Sequence, residues 1–235
     1  MNNILKLTLL INLILFQSCS KEEEDLVSQK CQSDCTEIIG KIMTENGTVP
    51  ITNLELTVKW DNIPYLGIGK ILTKATTQTD SEGNFHLKFF MRDHELEEGD
   101  LRIEYKVNEN EYLAAHLDKI RFKKVSQDTI ITLNYNIPKK AFLNLSLLNL
   151  KNIKQKDWFI LGLTYEKPVG FEQSIYKGSK GWNSESNKND IIEIPGNQSV
   201  ELRITRGKNN VSTIEIDTIF LNTGATSNYL IDFNN

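Results

Sequence analysis

The sequence has little of what side-chain catalysis and metal binding usually require. Its 235 residues include three histidines and three cysteines. It contains no Gly-x-Ser-x-Gly, phosphate-binding glycine loop or EF-hand loop. Basic residues number 27 against 31 acidic ones, so there is no excess of positive charge to indicate nucleic-acid binding. We therefore expect neither an enzyme nor a bound cofactor nor a nucleic-acid partner.

One short motif is similar to a zinc site, but its ligand set is incomplete. His94-Glu95-Leu96-Glu97 matches the His-x-x-Glu that opens the zinc site of metallocarboxypeptidases. A catalytic zinc needs a third protein ligand, and the only later histidine, His116, falls in a predicted strand. We interpret Arg92–Asp100 as an acidic surface loop and expect no metal.

Only the start of the chain carries a long apolar run. Residues 1–18 contain Lys6 and then ten mainly apolar residues, Leu7–Phe16. A helix that spans a bilayer needs about 20, whereas this length is typical of a secretory signal. A short buried helix is disfavoured by the charged run that follows at once. We expect residues 1–18 to be a cleaved signal peptide.

The end of this run resembles the lipobox of bacterial lipoproteins, because the small Ser18 precedes Cys19. Phe16 and Gln17 depart from the usual Leu-Ala/Ser pattern of that motif. The resemblance implies that Cys19 is acylated and becomes the first residue of the mature protein. Two or more acyl chains on one residue anchor a protein stably, so a membrane is the expected partner through the lipid.

Charged residues follow Cys19, and they support two compatible interpretations. A run of like charges repels itself and cannot form a core, which predicts a solvated flexible tether over residues 19–35. Lys21, Glu22 and Glu23 beside the lipid cysteine also resemble the export tag of Bacteroidota surface lipoproteins. That resemblance implies an outer-membrane lipoprotein facing outward, with a periplasm-facing anchor as the alternative.

The two remaining cysteines, Cys31 and Cys35, are close in sequence. In an oxidising compartment two nearby thiols tend to pair, and so short a disulfide loop requires a turn. Zinc would be undercoordinated by two thiolates alone. We expect a Cys31–Cys35 disulfide that stiffens the junction with little effect on global stability.

After this junction the chain reads as short β-rich segments separated by turn residues. Leu54–Trp60 and Leu101–Val107 alternate apolar and polar residues, which marks strands with one face on a core. The roughly ten-residue spacing of the segments favours a sandwich. We predict a first domain over residues 36–138, with strands at Glu37–Met43, Leu54–Trp60, Ile71–Thr79, Asn84–Phe90, Leu101–Val107, Tyr112–His116 and Thr129–Ile137.

The first domain resembles the carboxypeptidase regulatory-like domain, a transthyretin-like β-sandwich. The resemblance covers about Gly40 to Tyr112 and rests on Gly40-Lys-Ile42, Gly47, Pro50-Ile51 and above all Thr79-Asp-Ser-Glu-Gly-Asn-Phe85. In the last motif Asp80 can accept backbone N–H bonds, Gly83 supplies a positive φ, and Phe85 returns to the core. The resemblance implies a fold and no particular activity.

A second sandwich is predicted over residues 139–235, either immunoglobulin-like or transthyretin-like, after a hinge at Pro138-Lys139-Lys140. Its long polar loop Pro168–Asn189 carries Phe171, Tyr176 and Trp182. Exposed rings there could stack on a sugar or fill a partner's pocket; the alternative is that Tyr176 and Trp182 fold back to close the sandwich. The predicted strands are Phe142–Asn149, Trp158–Tyr165, Ile191–Ile194, Ser199–Thr205, Val211–Phe220 and Tyr229–Phe233.

Two short segments, Asp128-Thr129-Ile130 and Asp217-Thr218-Ile219, match a bacterial O-glycosylation sequon. Glycosylation would then fall on Thr129 and Thr218. An aspartate that ends a turn before a Thr-Ile strand explains both matches equally well.

These observations leave two functional hypotheses. The first is a surface-anchored, non-catalytic binding or scaffold lipoprotein that contacts a protein or glycan ligand, in nutrient capture or adhesion. The second is a pilus-type subunit similar to the fimbrillins, which carry two transthyretin-like domains and polymerise by strand exchange. Strand exchange requires a releasable edge strand.

Overall fold

The computed structural model describes residues 21–63, 69–113, 119–122, 125–169 and 172–234. Strands dominate these ranges, and the predicted all-β fold with tandem sandwiches is confirmed. The strands are β1 Lys21–Glu24, β2 Cys35–Thr44, β3 Val49–Pro50, β4 Glu55–Asp61, β5 Lys70–Gln78, β6 Asn84–Phe90, β7 Asp100–Tyr105, β8 Lys119–Phe122, β9 Ile130–Asn136, β10 Lys140–Leu148, β11 Trp158–Val169, β12 Glu172–Trp182, β13 Asn189–Pro195, β14 Ser199–Lys208, β15 Val211–Phe220 and β16 Thr226–Asp232. The helices are α1 Leu26–Gln29, α2 Asp93–Glu97 and a 3₁₀ turn at Leu150–Asn152.

None of the described helices has the length and apolar character that crossing a membrane requires. The predicted signal peptide and the lipidation site Cys19 lie outside the described residues, as do Phe171 and His116.

The first sandwich packs two sheets over one core. One sheet has the strand order β1-β5-β4-β7-β8; in the other, β2 pairs with β6, with the short β3 and, in parallel, with β9. Alternation decides which side chains enter the core: Leu56, Val58 and Trp60 of β4 are buried while the residues between them are not. Because each strand has a period of two, one face of each sheet supplies the core.

The turn between β5 and β6 has the predicted chemistry. The carboxylate Oδ1 of Asp80 accepts hydrogen bonds from the backbone N–H groups of Glu82 and Asn84, both at 2.8 Å. Gly83 has φ +77°, and Phe85 is buried in the core. These contacts confirm the roles predicted for Asp80, Gly83 and Phe85, and they explain why β5 reverses into β6 at this point.

The second sandwich packs a three-stranded sheet, β13-β10-β16, against a four-stranded sheet, β12-β11-β14-β15. Its core cluster begins at Ala141 and ends at Phe233, whereas the first cluster ends at Ile137. The two sandwiches contact each other where β9 packs against β11 and β12 and at Glu45, whose Oε2 accepts hydrogen bonds from Thr223 Oγ1 at 2.7 Å and from the Asn197 amide.

Three expectations differ from the structure. Much of the predicted loop Pro168–Asn189 belongs to the hairpin of β11 and β12. The Gly and Lys residues that lie in β12, an edge strand, are tolerated there. The predicted loop Arg92–Asp100 contains α2, which carries the buried Glu95. Of the predicted strand Tyr112–His116, only an isolated bridge at Tyr112 lies within the described residues.

The predicted tether also differs, because residues 21–29 are docked on the first sandwich. β1 pairs in parallel with β5, and Asp25, which caps α1, is buried. Lys74 Nζ, whose side chain is fully buried, lies 2.8 Å from Asp25 Oδ2 and 2.6 Å from Glu95 Oε2. Arg92 contacts both carboxylates. Opposite charges therefore neutralise the segment that like-charge repulsion was expected to keep in solvent.

Candidate functional site

The sequence of β15, Val-Ser-Thr-Ile-Glu-Ile-Asp-Thr-Ile-Phe, is rich in β-branched residues and has no Pro, Gly or Lys. This composition favours a strand, and the bounds predicted from it, Val211–Phe220, are those of β15. Within the described chain β15 pairs only with β14, so it forms one edge of the four-stranded sheet. One side of the strand thus presents free backbone N–H and C=O groups.

The outer face of this edge carries a row of exposed apolar side chains. Ile214, Ile216 and Phe220 are 50%, 56% and 57% exposed. Across β14 on the same face lie Ile160 and Trp158, which are 36% and 39% exposed. The Trp158 ring lies over Gly207, where an added Cβ would come within 2.1 Å of it. Together these side chains form an apolar surface that we call the β15 face.

The inner face of β15 carries two acidic residues that already have partners. Glu215 Oε2 accepts a hydrogen bond at 2.8 Å from the buried Arg206, and Asp217 Oδ2 accepts one at 2.9 Å from Tyr229 Oη. Burial and this hydrogen bond to Asp217 raise the pKa of Tyr229. The two acids fix β15 against Arg206 of β14 and Tyr229 of β16.

The structure places Tyr176 and Trp182, the two predicted aromatic residues that it describes, in the sandwich rather than on a free loop. Trp182 is buried, packs against Phe159 at 5.4 Å between ring centroids, and donates from Nε1 to Asp190 Oδ2 at 3.0 Å. Tyr176 packs against Tyr165 at 4.8 Å, and Lys167 Nζ lies 4.1 Å from its ring centroid. Both rings close one side of the core, which is the alternative that the sequence left open.

The residues predicted near the N-terminus are held by ordinary structural contacts. Lys21 pairs with Glu23 at 3.1 Å, and Glu22 pairs with Lys59 at 2.6 Å. Cys31 and Cys35 form the predicted disulfide, with 5.9 Å between their Cα atoms. No group of three or more His, Cys, Asp and Glu side chains in the described ranges could hold a metal ion.

The two predicted glycosylation sites differ in environment. Thr129 is half-buried, and its Oγ1 lies 2.7 Å from Ser126 Oγ. Thr218 is exposed on the outer face of β15, and its N–H contacts Asp217 Oδ1 at 2.7 Å. Glycosylation at either residue stays a prediction.

The β15 face was not predicted from the sequence. Alternation of Ile214 and Ile216 with Glu215 and Asp217 predicts apolar side chains on the core, yet here they point away from it. The facing sheet has three strands against four, so β15 lies beyond the shared core and neither of its faces is fully covered. The cause is the difference in the number of strands between the two sheets, which the local sequence pattern does not reveal.

No protein-family profile matches this chain, and no curated protein is similar to it in sequence. Similar folds occur among solved pilin structures. A streptococcal ancillary pilin aligns over 86% of this chain and 63% of its own, with 7% identity and a TM-score of 0.31. The shaft pilin of Lactobacillus rhamnosus GG aligns over 86% of this chain and 98% of its own, with 6% identity and a TM-score of 0.30.

The major pilin subunit of Bacillus cereus aligns over 80% of this chain and 69% of its own, with 8% identity and a TM-score of 0.29. This chain spans less than two thirds of the length of the streptococcal pilin. At these identities and TM-scores the likeness carries no argument about this chain. The functional argument therefore rests on the site itself.

Proposed function

We propose that the protein is a non-catalytic, surface-anchored assembly subunit that associates with another protein strand along β15. The observation that carries this proposal is the open edge of β15 together with its exposed apolar row, Ile214, Ile216 and Phe220. In strand addition, main-chain hydrogen bonds supply affinity, and alternate side chains supply specificity. The β15 edge offers unpaired main-chain groups for such hydrogen bonds and alternate apolar side chains for specificity.

The edge lacks the features by which proteins usually prevent such pairing. Edge strands are commonly blunted by Lys, Pro, bulges or short length. β15 is ten residues long, contains no Lys or Pro, and pairs with β14 in an unbroken register. A long apolar edge without protection is a liability in a monomer, and it is explained if a second strand covers it.

Addition of a strand fits this chain better than exchange of one. The C-terminal strand β16 is tied to the core by the buried Ile231 and by the neighbouring Phe233. At the other end β1 has four residues, all charged, next to the buried Asp25. Neither strand is a good donor, because release would expose apolar or charge-paired groups, whereas β15 needs no release.

The edge can be tested on the assembly extracted from intact membranes in mild detergent. We expect the wild-type protein to migrate in a complex larger than the monomer, and Ile216→Lys to shift it to the monomer. Ile191→Lys is the matched control, since Ile191 is an isoleucine of similar exposure, 64% against 56% for Ile216, on another edge strand, β13. A monomeric wild-type protein, or equal effects of the two variants, would overturn the proposal.

The anchor is a separate part of the proposal and rests on Cys19 and the apolar run before it. We expect mass spectrometry of the mature N-terminus to find acylated Cys19, and protease treatment of intact cells to remove the body of the protein. A protected body would place the protein on the periplasmic side, and an unmodified N-terminus would remove the anchor.

A further inference from the structure

We infer that the strand covering β15 is β12 of a second copy of this chain, so that the copies join head to tail. This inference rests on the proposed function and adds the identity of the partner. β12 and β15 are the two edges of the same four-stranded sheet. Joining them would extend one sheet continuously from copy to copy.

The directions of the strands suit this junction. Successive neighbours in the sheet, β12 with β11, β11 with β14 and β14 with β15, are all antiparallel. In two copies related by translation, β15 of one and β12 of the next therefore also run antiparallel. The junction would continue the ladder already present, and the inner face of one sheet would meet the inner face of the next.

The charges of the two edges are complementary. β15 has two acidic residues, Glu215 and Asp217, and no basic one. β12 has Lys177 and Lys180 over residues 175–182, with no acidic residue there. A symmetric pairing of β15 with β15, centred on its middle residues, would instead place Glu215 opposite itself or opposite Asp217. Like charges directly opposite each other disfavour pairing.

One register of β15 against β12 brings complementary side chains together on both faces of the extended sheet. If Glu215 lies opposite Lys180, Phe220 falls opposite Ile175, and these two exposed apolar residues cover each other on the outer face. Lys180 Nζ lies 2.7 Å from Asp190 and remains partly exposed, so it can reach a second carboxylate.

In the same register Ile214 falls opposite Gly181. An added Cβ at Gly181 would meet Phe159 O at 3.6 Å and Ile160 Cγ1 at 3.8 Å, both ordinary contacts, so the surface there has room for the Ile214 side chain. Two different edges are used, so such a contact is heterologous and does not close on itself. The product is an open filament rather than a dimer.

Disulfide trapping in the full-length chain tests the register. In a Cys19→Ser background Cys31 and Cys35 are already paired, so introduced thiols are the reactive ones. We expect Phe220→Cys with Ile175→Cys to give a ladder of disulfide-linked oligomers on a non-reducing gel. The same two residues within one copy lie about 14 Å apart across three strand spacings, beyond the reach of a disulfide.

The matched control is Phe220→Cys with Gly181→Cys, where the second thiol is displaced along β12 by about 20 Å and should give no ladder. Crosslinked dimers from Ile216→Cys alone, which lies at the centre of such a pair, would indicate symmetric pairing of β15 and overturn the inference, while the β15 edge itself would stand. Absence of any crosslink, with Ile216→Lys still abolishing the assembly, would assign the edge to a different protein. Absence of both effects would overturn the proposed function as well.

Discussion

Lys74 is a lysine buried inside the first sandwich. Its side chain is fully buried, between Asp25 Oδ2 and Glu95 Oε2. Arg92 completes a cluster of two cations and two anions that joins the N-terminal segment to β5 and α2. Removing one member of a buried ion cluster lowers the free energy of unfolding by more than the intact cluster adds to it, because the remaining buried charges lose their partner.

Lys74→Ala should therefore lower the free energy of unfolding by about 3–5 kcal/mol, as measured by urea denaturation. Lys88→Ala is the matched control, because Lys88 pairs with Glu37 at 3.3 Å on the surface. We expect that variant to stay within about 1 kcal/mol of the wild type. Equal losses in the two variants would show that burial of the cluster does not determine its contribution.

The same cluster makes stability depend on acid pH. Burial alone would raise the pKa of Asp25, but hydrogen bonds from Arg92 and Lys74 outweigh it and hold that pKa well below its usual range. Salt-bridge hydrogen bonds likewise outweigh burial at Glu104 and lower its pKa to about 2. A group with a depressed folded-state pKa contributes stability above its unfolded pKa, about 3.9 for Asp, and loses it as pH falls.

The free energy of unfolding should thus decrease as pH is lowered from about 5 towards 2. Asp25→Asn should be less stable at neutral pH and should show a shallower decrease, and Glu104→Gln should remove a further part of the slope. The measurement is urea denaturation at a series of pH values. A slope unchanged in Asp25→Asn would place the acid sensitivity elsewhere.

At the scale of elements, one glycine allows β2 and β9 to pair. An added Cβ at Gly40 would come within 1.5 Å of the carbonyl oxygen of Leu133, so any side chain there separates the parallel strands. We expect Gly40→Ala to cost at least the upper end of the about 1–3 kcal/mol typical of overpacking. Gly162→Ala in β11 is the control, since its nearest contact is Arg203 Cβ at 3.4 Å; thermal unfolding of both variants provides the comparison.

The alternation of apolar and polar residues predicted the strands well, because it depends only on residues that are close in the sequence. The bounds of β6 and β15 are those predicted, and the turn at Asp80 and Gly83 has the expected contacts. Contacts between residues far apart in the sequence were not predictable in this way. Asp25 and Lys74 are 49 residues apart, so the charged N-terminal run was interpreted as a tether.

The same limit explains why the β15 face was not predicted from the sequence. Nothing in Val211–Phe220 says that β15 ends a sheet with more strands than the sheet facing it. Trp182 and Tyr176 looked available on a polar loop, yet the β11–β12 hairpin turns both rings toward the core. Position in a sheet is set by contacts between distant segments, and a local sequence pattern does not reveal them.

At the scale of the whole molecule, a polar contact centred on Glu45 joins the two sandwiches beside the packing of β9 against β11 and β12. Its carboxylate accepts hydrogen bonds from Thr223 and Asn197 of the second sandwich, and Lys139 Nζ lies 3.8 Å away. The bonded groups are partly buried, so water replaces them poorly. We expect the orientation of the second sandwich, and with it of the β15 face relative to the N-terminal segment, to depend on this contact.

Glu45→Ala should uncouple the sandwiches without unfolding either one, because both cores are complete without it. We expect a loss of about 1.5–3 kcal/mol in the free energy of unfolding, the range of hydrogen bonds to a charged group. In calorimetry the ratio of calorimetric to van't Hoff enthalpy should rise above that of the wild type as the sandwiches unfold separately. Glu193→Ala, which removes an exposed pair with Lys140 within the second sandwich, should leave the ratio unchanged. If Glu45→Ala also leaves it unchanged, other contacts hold the two sandwiches together, and the orientation of the β15 face does not depend on Glu45.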